Sequence, residues 1–180
     1  KVSNEEKITR LFIEANNQKI LGNYNDAKTL FNECLKLDPD NDASHFELSK
    51  IYLEEVSSST TGINELVSLS IFHGEKASEL SPTNKWYLKH VAYLYEVSRQ
   101  TNKAIKTYEK LISIYPKEMD YLKSLAALEE SIGNYQNAID HYNTIEQKTS
   151  LNKVIGYKKA SLWIQLGNLE NAENEIQKLI

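Results

Sequence analysis

The sequence is poor in the residues that interrupt helices or carry chemistry. Three prolines and six glycines in 180 residues are too few for a loop-rich or collagen-like chain. The single cysteine, Cys34, excludes an internal disulfide framework. It lies in register with Leu30, Phe31 and Leu37, so it reads as a small buried hydrophobe. The sequence lacks any run of about 18 or more apolar residues, so no membrane-spanning helix is expected. Lys and Arg number 21 against 25 Asp and Glu, a formal charge of −4, which does not suit a surface for nucleic acid or anionic lipid. There is no GxGxxG, P-loop, HExxH or CxxC motif. His45, His73, His90 and His141 have no metal-ligand spacing along one helix face, and His45 is expected in the core. The adjacent pairs Glu5-Glu6, Glu54-Glu55 and Glu129-Glu130 point apart on a helix and suit solvated faces. No catalytic residue, metal site or cofactor is therefore expected, and the chain is read as a non-enzyme.

What the sequence does have is a period. Ala104, Ala138 and Ala172 are spaced by 34 residues, and so are the pairs Gly133/Gly167 and Pro82/Pro116. Several residue types holding one interval in one register mark a repeat array. From Pro39 to Pro82 the interval is 43, nine residues too long. The polar run Ser57-Ser58-Ser59-Thr60-Thr61-Gly62 is the expected site of that insertion and reads as an irregular loop. Within the stretch 119–152, Leu122, Leu125, Ala126 and Leu128 have helical spacing. Gly133-Asn134 breaks that helix. Ala138, Ile139, Tyr142 and Ile145 then form a second apolar stripe. A small residue at Ala138 fits a close crossing of the two helices.

These residues resemble the tetratricopeptide repeat. The stretch 85–118 carries the pattern at Leu88, Val91, Ala92, Tyr95, Ala104, Tyr108, Leu111 and Pro116. The stretch 8–41 carries it at Leu11, Ala15, Gly22, Tyr24, Ala27, Phe31, Cys34 and Pro39. The stretch 153–180 carries it at Ala160, Trp163, Gly167, Ala172, Ile176 and Leu179. The stretch 42–84 departs most, with His45, Leu48, Ser49 and Tyr52 followed by Ser70, Gly74, Ala77 and Pro82. Ser70 replaces the crossing alanine, so looser packing is expected there. The resemblance implies an all-α fold, a right-handed α-solenoid of antiparallel helix pairs. It implies one array over 1–180: repeats 8–41, 42–84 with its nine-residue insertion near 56–63, 85–118, 119–152 and an incomplete 153–180.

The resemblance also implies a function, a protein-interaction scaffold whose first helices line a concave groove, with a self-assembly module or a regulatory domain of a longer protein as the alternatives. The groove positions carried over are Thr9, Phe12, Asn16 and Lys19; Ala43, Phe46, Lys50 and Leu53; Trp86, Lys89, Tyr93 and Glu96; Asp120, Lys123, Ala127 and Glu130; and Val154, Tyr157, Ser161 and Ile164. The candidate peptide-binding residues are Phe12, Asn16, Phe46, Lys50, Trp86, Lys89, Tyr93, Lys123 and Tyr157, because aromatics beside lysines suit peptide capture. The partner is a protein or peptide, not nucleic acid. The family's carboxylate clamp for chaperone C-termini is not expected. Its positions read Phe12, Asn16, Glu47, Trp86 and His90, where only Asn16 agrees and Glu47 would repel a carboxylate. Asn23–Ala27, the turn Asp38–Asn41 and Tyr142–Glu146 are similar to those of bacteroidete outer-membrane lipoproteins with the same repeats, which implies a periplasmic setting. The chain opens at Lys1 rather than Met, so targeting information is expected to precede it. The last helix is expected to run to Ile180 without a stop signal. Its apolar face is expected to meet further chain or to form a homodimer through 153–180.

Overall fold

The computed structural model describes residues 3–150 and 152–180. Among them are ten helices and no strand: α1 (Asn4–Ile20), α2 (Tyr24–Leu37), α3 (Asp42–Ser58), α4 (Ile63–Leu80), α5 (Lys85–Val97), α6 (Thr101–Ile114), α7 (Met119–Ser131), α8 (Tyr135–Thr149), α9 (Lys153–Gln165) and α10 (Leu169–Gln177). None is long and apolar enough to cross a membrane. The chain divides into two compact units, Lys1–Gln100 and Thr101–Ile180. In unit 1, α1 packs on α2, α3 on both α2 and α4, and α4 on α5. In unit 2, α6 packs on α7, α7 on α8, α8 on α9 and α9 on α10.

Tight turns make neighbouring helices antiparallel. α1, α7 and α9 each end with a glycine at positive φ: Gly22, Gly133 and Gly167. Each glycine N–H bonds three residues back, and the next residue, an asparagine, bonds five back, as Asn134 does to Glu129 at 2.9 Å. This double bond closes the helix end and reverses the chain. α5 ends with the same bonds, Arg99 to Glu96 and Gln100 to Tyr95. Arg99 sits at φ 58, a conformation that costs a residue with a Cβ about 1–2 kcal/mol. Entry into α3, α5 and α9 is fixed by Asn41, Asn84 and Asn152, whose side chains accept from first-turn N–H groups.

Small residues recur where paired helices cross. Ala15 and Ala27 are fully buried in one cluster with Phe31, Leu48 and Ile51. Ala126 and Ala138 are fully buried in another with Leu122, Ile139, Tyr142, Ile145, Ile155 and Leu162. Between α3 and α4 the alanines are replaced by Ser49 and Ser70, and the packing there is tight rather than loose. Ser49 Oγ donates to the Ser70 carbonyl at 2.7 Å and Ser70 Oγ to the Ser49 carbonyl at 2.8 Å. A Cβ on Gly74, one turn along, would lie 2.9 Å from Leu94 and 3.0 Å from Ser49 Oγ. Hydroxyls bonded across the crossing let the helices approach as closely as methyls do.

The nine-residue insertion also takes a different form from the expected loop. α3 has 17 residues and α4 has 18, against 13 in α5 and 14 in α6. Each helix is lengthened by about one turn, and the connector Ser59–Gly62 is only one residue longer than Ser98–Gln100. Ser57 and Ser58, expected in the loop, are helical. Apolar and aromatic neighbours along α3 and α4 override the weak helix propensity of serine.

Unit 2 buries a charge that the periodicity does not announce. Lys159 is 2 % exposed and occupies the position held by Leu125 one period earlier. Its Nζ lies 2.5 Å from Glu146 and 3.0 Å from Asn143 on α8, and 2.9 Å from Glu175 on α10. Burial works against the ammonium, yet the bonds to Glu146 and Glu175 outweigh it and hold its pKa above the ordinary lysine value. One side chain thus ties three helices together. Beside it Gly156 leaves room for Leu179, whose Cδ2 would lie 2.6 Å from an added Cβ. α10 closes at Gln177, not at the end of the chain, with the Lys178 N–H bonded to the Asn174 and Ile176 carbonyls. Ala160 and Leu179, expected on the apolar face, are buried, while Ile164 and Ile180 are exposed.

Two stability outcomes follow. Arg99→Gly removes the positive-φ penalty but adds backbone freedom to the unfolded chain, so a net gain of roughly 1 kcal/mol or less is expected in urea unfolding. A loss would mean that Arg99 makes a contact worth more than its strain. Lys159→Met removes the ammonium that Glu146 and Glu175 share and leaves Glu175 with Lys178 alone, and a loss of about 3–5 kcal/mol is expected. Unchanged stability would show that the buried charge ties nothing together.

Candidate functional site

In unit 1 the first-helix face is built by α1, α3 and α5. Its centre is Phe46, whose ring lies 4.6 Å from Tyr87 and 5.3 Å from His90, with Lys50 Nζ 4.5 Å above it. Glu47 is held between two lysines, Lys19 and Lys50, the latter at 2.6 Å. A carboxylate therefore occupies the place where an incoming carboxyl group would need cations. Asn16 uses its amide locally, donating to the Phe12 carbonyl at 2.9 Å. Phe12 is half-buried and packs edge-on to Phe31 at 5.4 Å, so most of its ring serves the core. The open part of the face is on α5, where Trp86 is 62 % exposed and Tyr93 50 %, with Lys89 exposed between them. Lys85 reaches over the Trp86 ring at 5.4 Å.

In unit 2 the corresponding face is built by α7 and α9 and contains a hollow of about 430 Å³. Lys123 and Ala127 from α7 and Val154, Ile155 and Lys158 from α9 line it, with Tyr142 contributed by α8. Lys123 pairs with Asp120 at 3.0 Å. Lys158 lies 3.5 Å from Glu130, which also accepts the Tyr142 hydroxyl at 3.4 Å. Burial raises the Tyr142 pKa, so its hydroxyl stays a donor. Tyr157, on α9, is exposed. Of the expected groove residues, the structure gathers Lys19, Phe46 and Lys50 in unit 1 and Lys123, Ala127 and Val154 in unit 2. Periodicity missed Lys158, although it follows Val154 by one helical turn and shares its face. It also missed Tyr142, which arrives from a second helix and gives no signal in the first-helix register.

The histidines form a cluster that their sequence spacing hides. His45 Nδ1 and His73 Nδ1 are 2.8 Å apart, and His45 Nε2 is 3.1 Å from the Pro39 carbonyl. His90 Nε2 is 2.8 Å from Ser49 Oγ. Tyr52 stacks on His73 at 5.7 Å. The core placement expected for His45 holds. Groups separated by 28 and 41 residues in sequence meet only because α3, α4 and α5 fold together.

Known proteins share parts of this sequence and its fold. Residues 11–41 and 90–118 each match a tetratricopeptide repeat model. The chain is 25 % identical, over 195 aligned positions, to the TPR repeat-containing protein MJ1428 of Methanocaldococcus jannaschii. That alignment covers all of this chain and 33 % of the relative, so the chain spans about a third of its length. The fold is shared with solved structures of MamA, at TM-score 0.75 and 18 % identity over 97 % of this chain and 90 % of that one. It is shared too with YrrB, described as a TPR protein with an unusual peptide-binding site, at TM-score 0.70 and 12 % identity over 93 % and 82 %. Two stretches of the chain thus match tetratricopeptide repeat models, and its all-helical fold is the one these solved structures share.

Proposed function

We propose that the chain is a non-catalytic scaffold that holds a peptide or protein segment against its first-helix faces. The observation that carries this reading is the pair Trp86 and Tyr93, two large aromatics left exposed on α5 at the groove positions of the repeat. Aromatic side chains bring wide contact area at little entropic cost, and they dominate binding energy where they are found at interfaces. The hollow lined by Lys123, Ala127, Val154 and Lys158 in unit 2 supports the same reading, since it combines apolar side chains with a few polar ones. The peptide-binding site described for YrrB adds a precedent within the fold. Self-association is a second reading, supported by the exposure of Ile164, Leu166 and Leu169 on and between α9 and α10.

The test is a peptide selected on the intact chain from a random library, with its affinity measured by calorimetry. Trp86→Ala and Tyr93→Ala are each expected to weaken it by roughly 1–3 kcal/mol, with unfolding midpoints unchanged. Leu169→Ala, on the second helix of its pair, is expected to have no effect. Normal binding by both aromatic variants with loss in Leu169→Ala would place the binding surface elsewhere.

A further inference from the structure

The protons of the histidine cluster can be assigned from its contacts. The Pro39 carbonyl can only accept, so His45 carries its proton on Nε2 and offers Nδ1 as acceptor. His73 Nδ1, 2.8 Å away, must then donate to it. Ser49 Oγ gives its own proton to the Ser70 carbonyl at 2.7 Å, so His90 Nε2 donates to Ser49 Oγ at 2.8 Å. His45 is therefore neutral with a fixed tautomer, while His73 donates from Nδ1 and His90 from Nε2. A proton added to His45 Nδ1 would set two N–H groups against each other. A proton added to His73 or His90 would charge a ring with little access to water.

The carboxylates around the cluster lie beyond its rings: Glu75, on the helix of His73, accepts the Tyr95 hydroxyl at 2.5 Å, and Glu65, also on α4, is exposed on the far side of Tyr52. His73 faces His45 and Tyr52 on α3 and Phe72 on its own helix. Beyond Tyr52, Lys28 of α2 and Glu55 of α3 are paired with each other at 2.6 Å. His90 faces Lys50 and Glu47 on α3, and Glu47 already serves Lys50 and, from α1, Lys19. Burial, followed by the neighbouring His45, lowers the His73 pKa from 6.5 to about 4. Burial, followed by Lys50 and partly offset by Glu47, does the same for His90.

We propose that this cluster is a pH-sensitive latch on the unit 1 face. Proton uptake releases α3 from α4 and α5 and dismantles the Phe46–Lys50 part of that face. As regulation of peptide binding the latch rests on the function proposed above, but its opening is read without any ligand. The sign follows from His73 and His90 binding protons more tightly in the opened state. The latch is fully closed above the ordinary histidine pKa of 6.5, loosens as pH falls below it, and has lost its full contribution near 4. Unit 2 is built differently. Its buried charges are Lys159 with Glu146 and Glu175, and Glu129, which accepts from the Asn134 amide at 2.7 Å. Lys159 and Lys178 outweigh burial and hold the Glu175 carboxyl below its usual range. Mild acidification should therefore leave unit 2 intact.

The experiment is hydrogen exchange on the whole chain at pH 7 and at pH 5, corrected for intrinsic exchange rates. Protection across α3–α5 is expected to fall about tenfold or more, while protection across α7–α10 changes by no more than about twofold. His90→Gln and His73→Asn keep a side-chain donor without titrating, and the double variant is expected to level the two responses. Equal loss in both units, or an undiminished response in a double variant folded at pH 7, overturns the latch. If the double variant does not fold, histidine carbon shifts of the parent chain decide. Rings of His73 and His90 that stay neutral below pH 5 support the latch, and titration near 6.5 refutes it. None of these readouts depends on peptide binding, so failure of the proposed function leaves them unchanged.

Discussion

The close crossing of paired helices over small side chains is the constraint on which the rest depends. Ala15 with Ala27, Ser49 with Ser70, Ala126 with Ala138 and Ala160 with Ala172 hold equivalent places, and all are buried. A methyl or a bonded hydroxyl there lets the backbones approach, and the larger side chains on either side of the crossing then interdigitate. Phe31, Leu48, Tyr142 and Ile155 find their places from that spacing. The outward faces of the first helices are also set by it, because burying one stripe of a helix fixes which residues are left facing solvent. Trp86, Tyr93 and Val154 are exposed because Leu88, Val91, Ala92 and Ile155 are buried.

Around this shared frame the two units solve their interiors differently. Unit 1 places neutral polar groups inside, with Ser49, Ser70, His45, His73 and His90 satisfying one another. Unit 2 places a charge inside and neutralises it with Glu146 and Glu175. Buried polar groups are costly unless every partner is present, so each network imposes a specific packing as well as contributing stability. The same difference makes one interior sensitive to proton uptake by imidazole and the other to loss of carboxylate charge.

Much of this was legible in the sequence. The period of 34, the glycines that end α1, α7 and α9, and the crossing alanines located the helices and their turns. Trp86, Lys89 and Tyr93, groove positions implied by the family resemblance, are exposed. The losses share a cause. The Ser57–Gly62 run looked like a loop because propensity was read without the packing that extends α3 and α4. Lys159 and the histidine cluster looked unremarkable because their partners lie on other helices, at separations that no local pattern records. Phe12 and Phe46 were read as groove residues, yet each also packs on aromatic neighbours, Phe31 for one and Tyr87 for the other. Register fixes the direction of a side chain, not what meets it there.

The most direct test of the crossing constraint compares one substitution at two alanines of a single repeat. Ala138 is fully buried at the crossing, and Ala127 is exposed on the outer face of α7. Urea unfolding of Ala138→Leu should show a loss of roughly 1–3 kcal/mol, while Ala127→Leu should stay within about 0.5 kcal/mol of the parent. Equal stability in the two variants would contradict the claim that small side chains at the crossings hold the helices and set the faces.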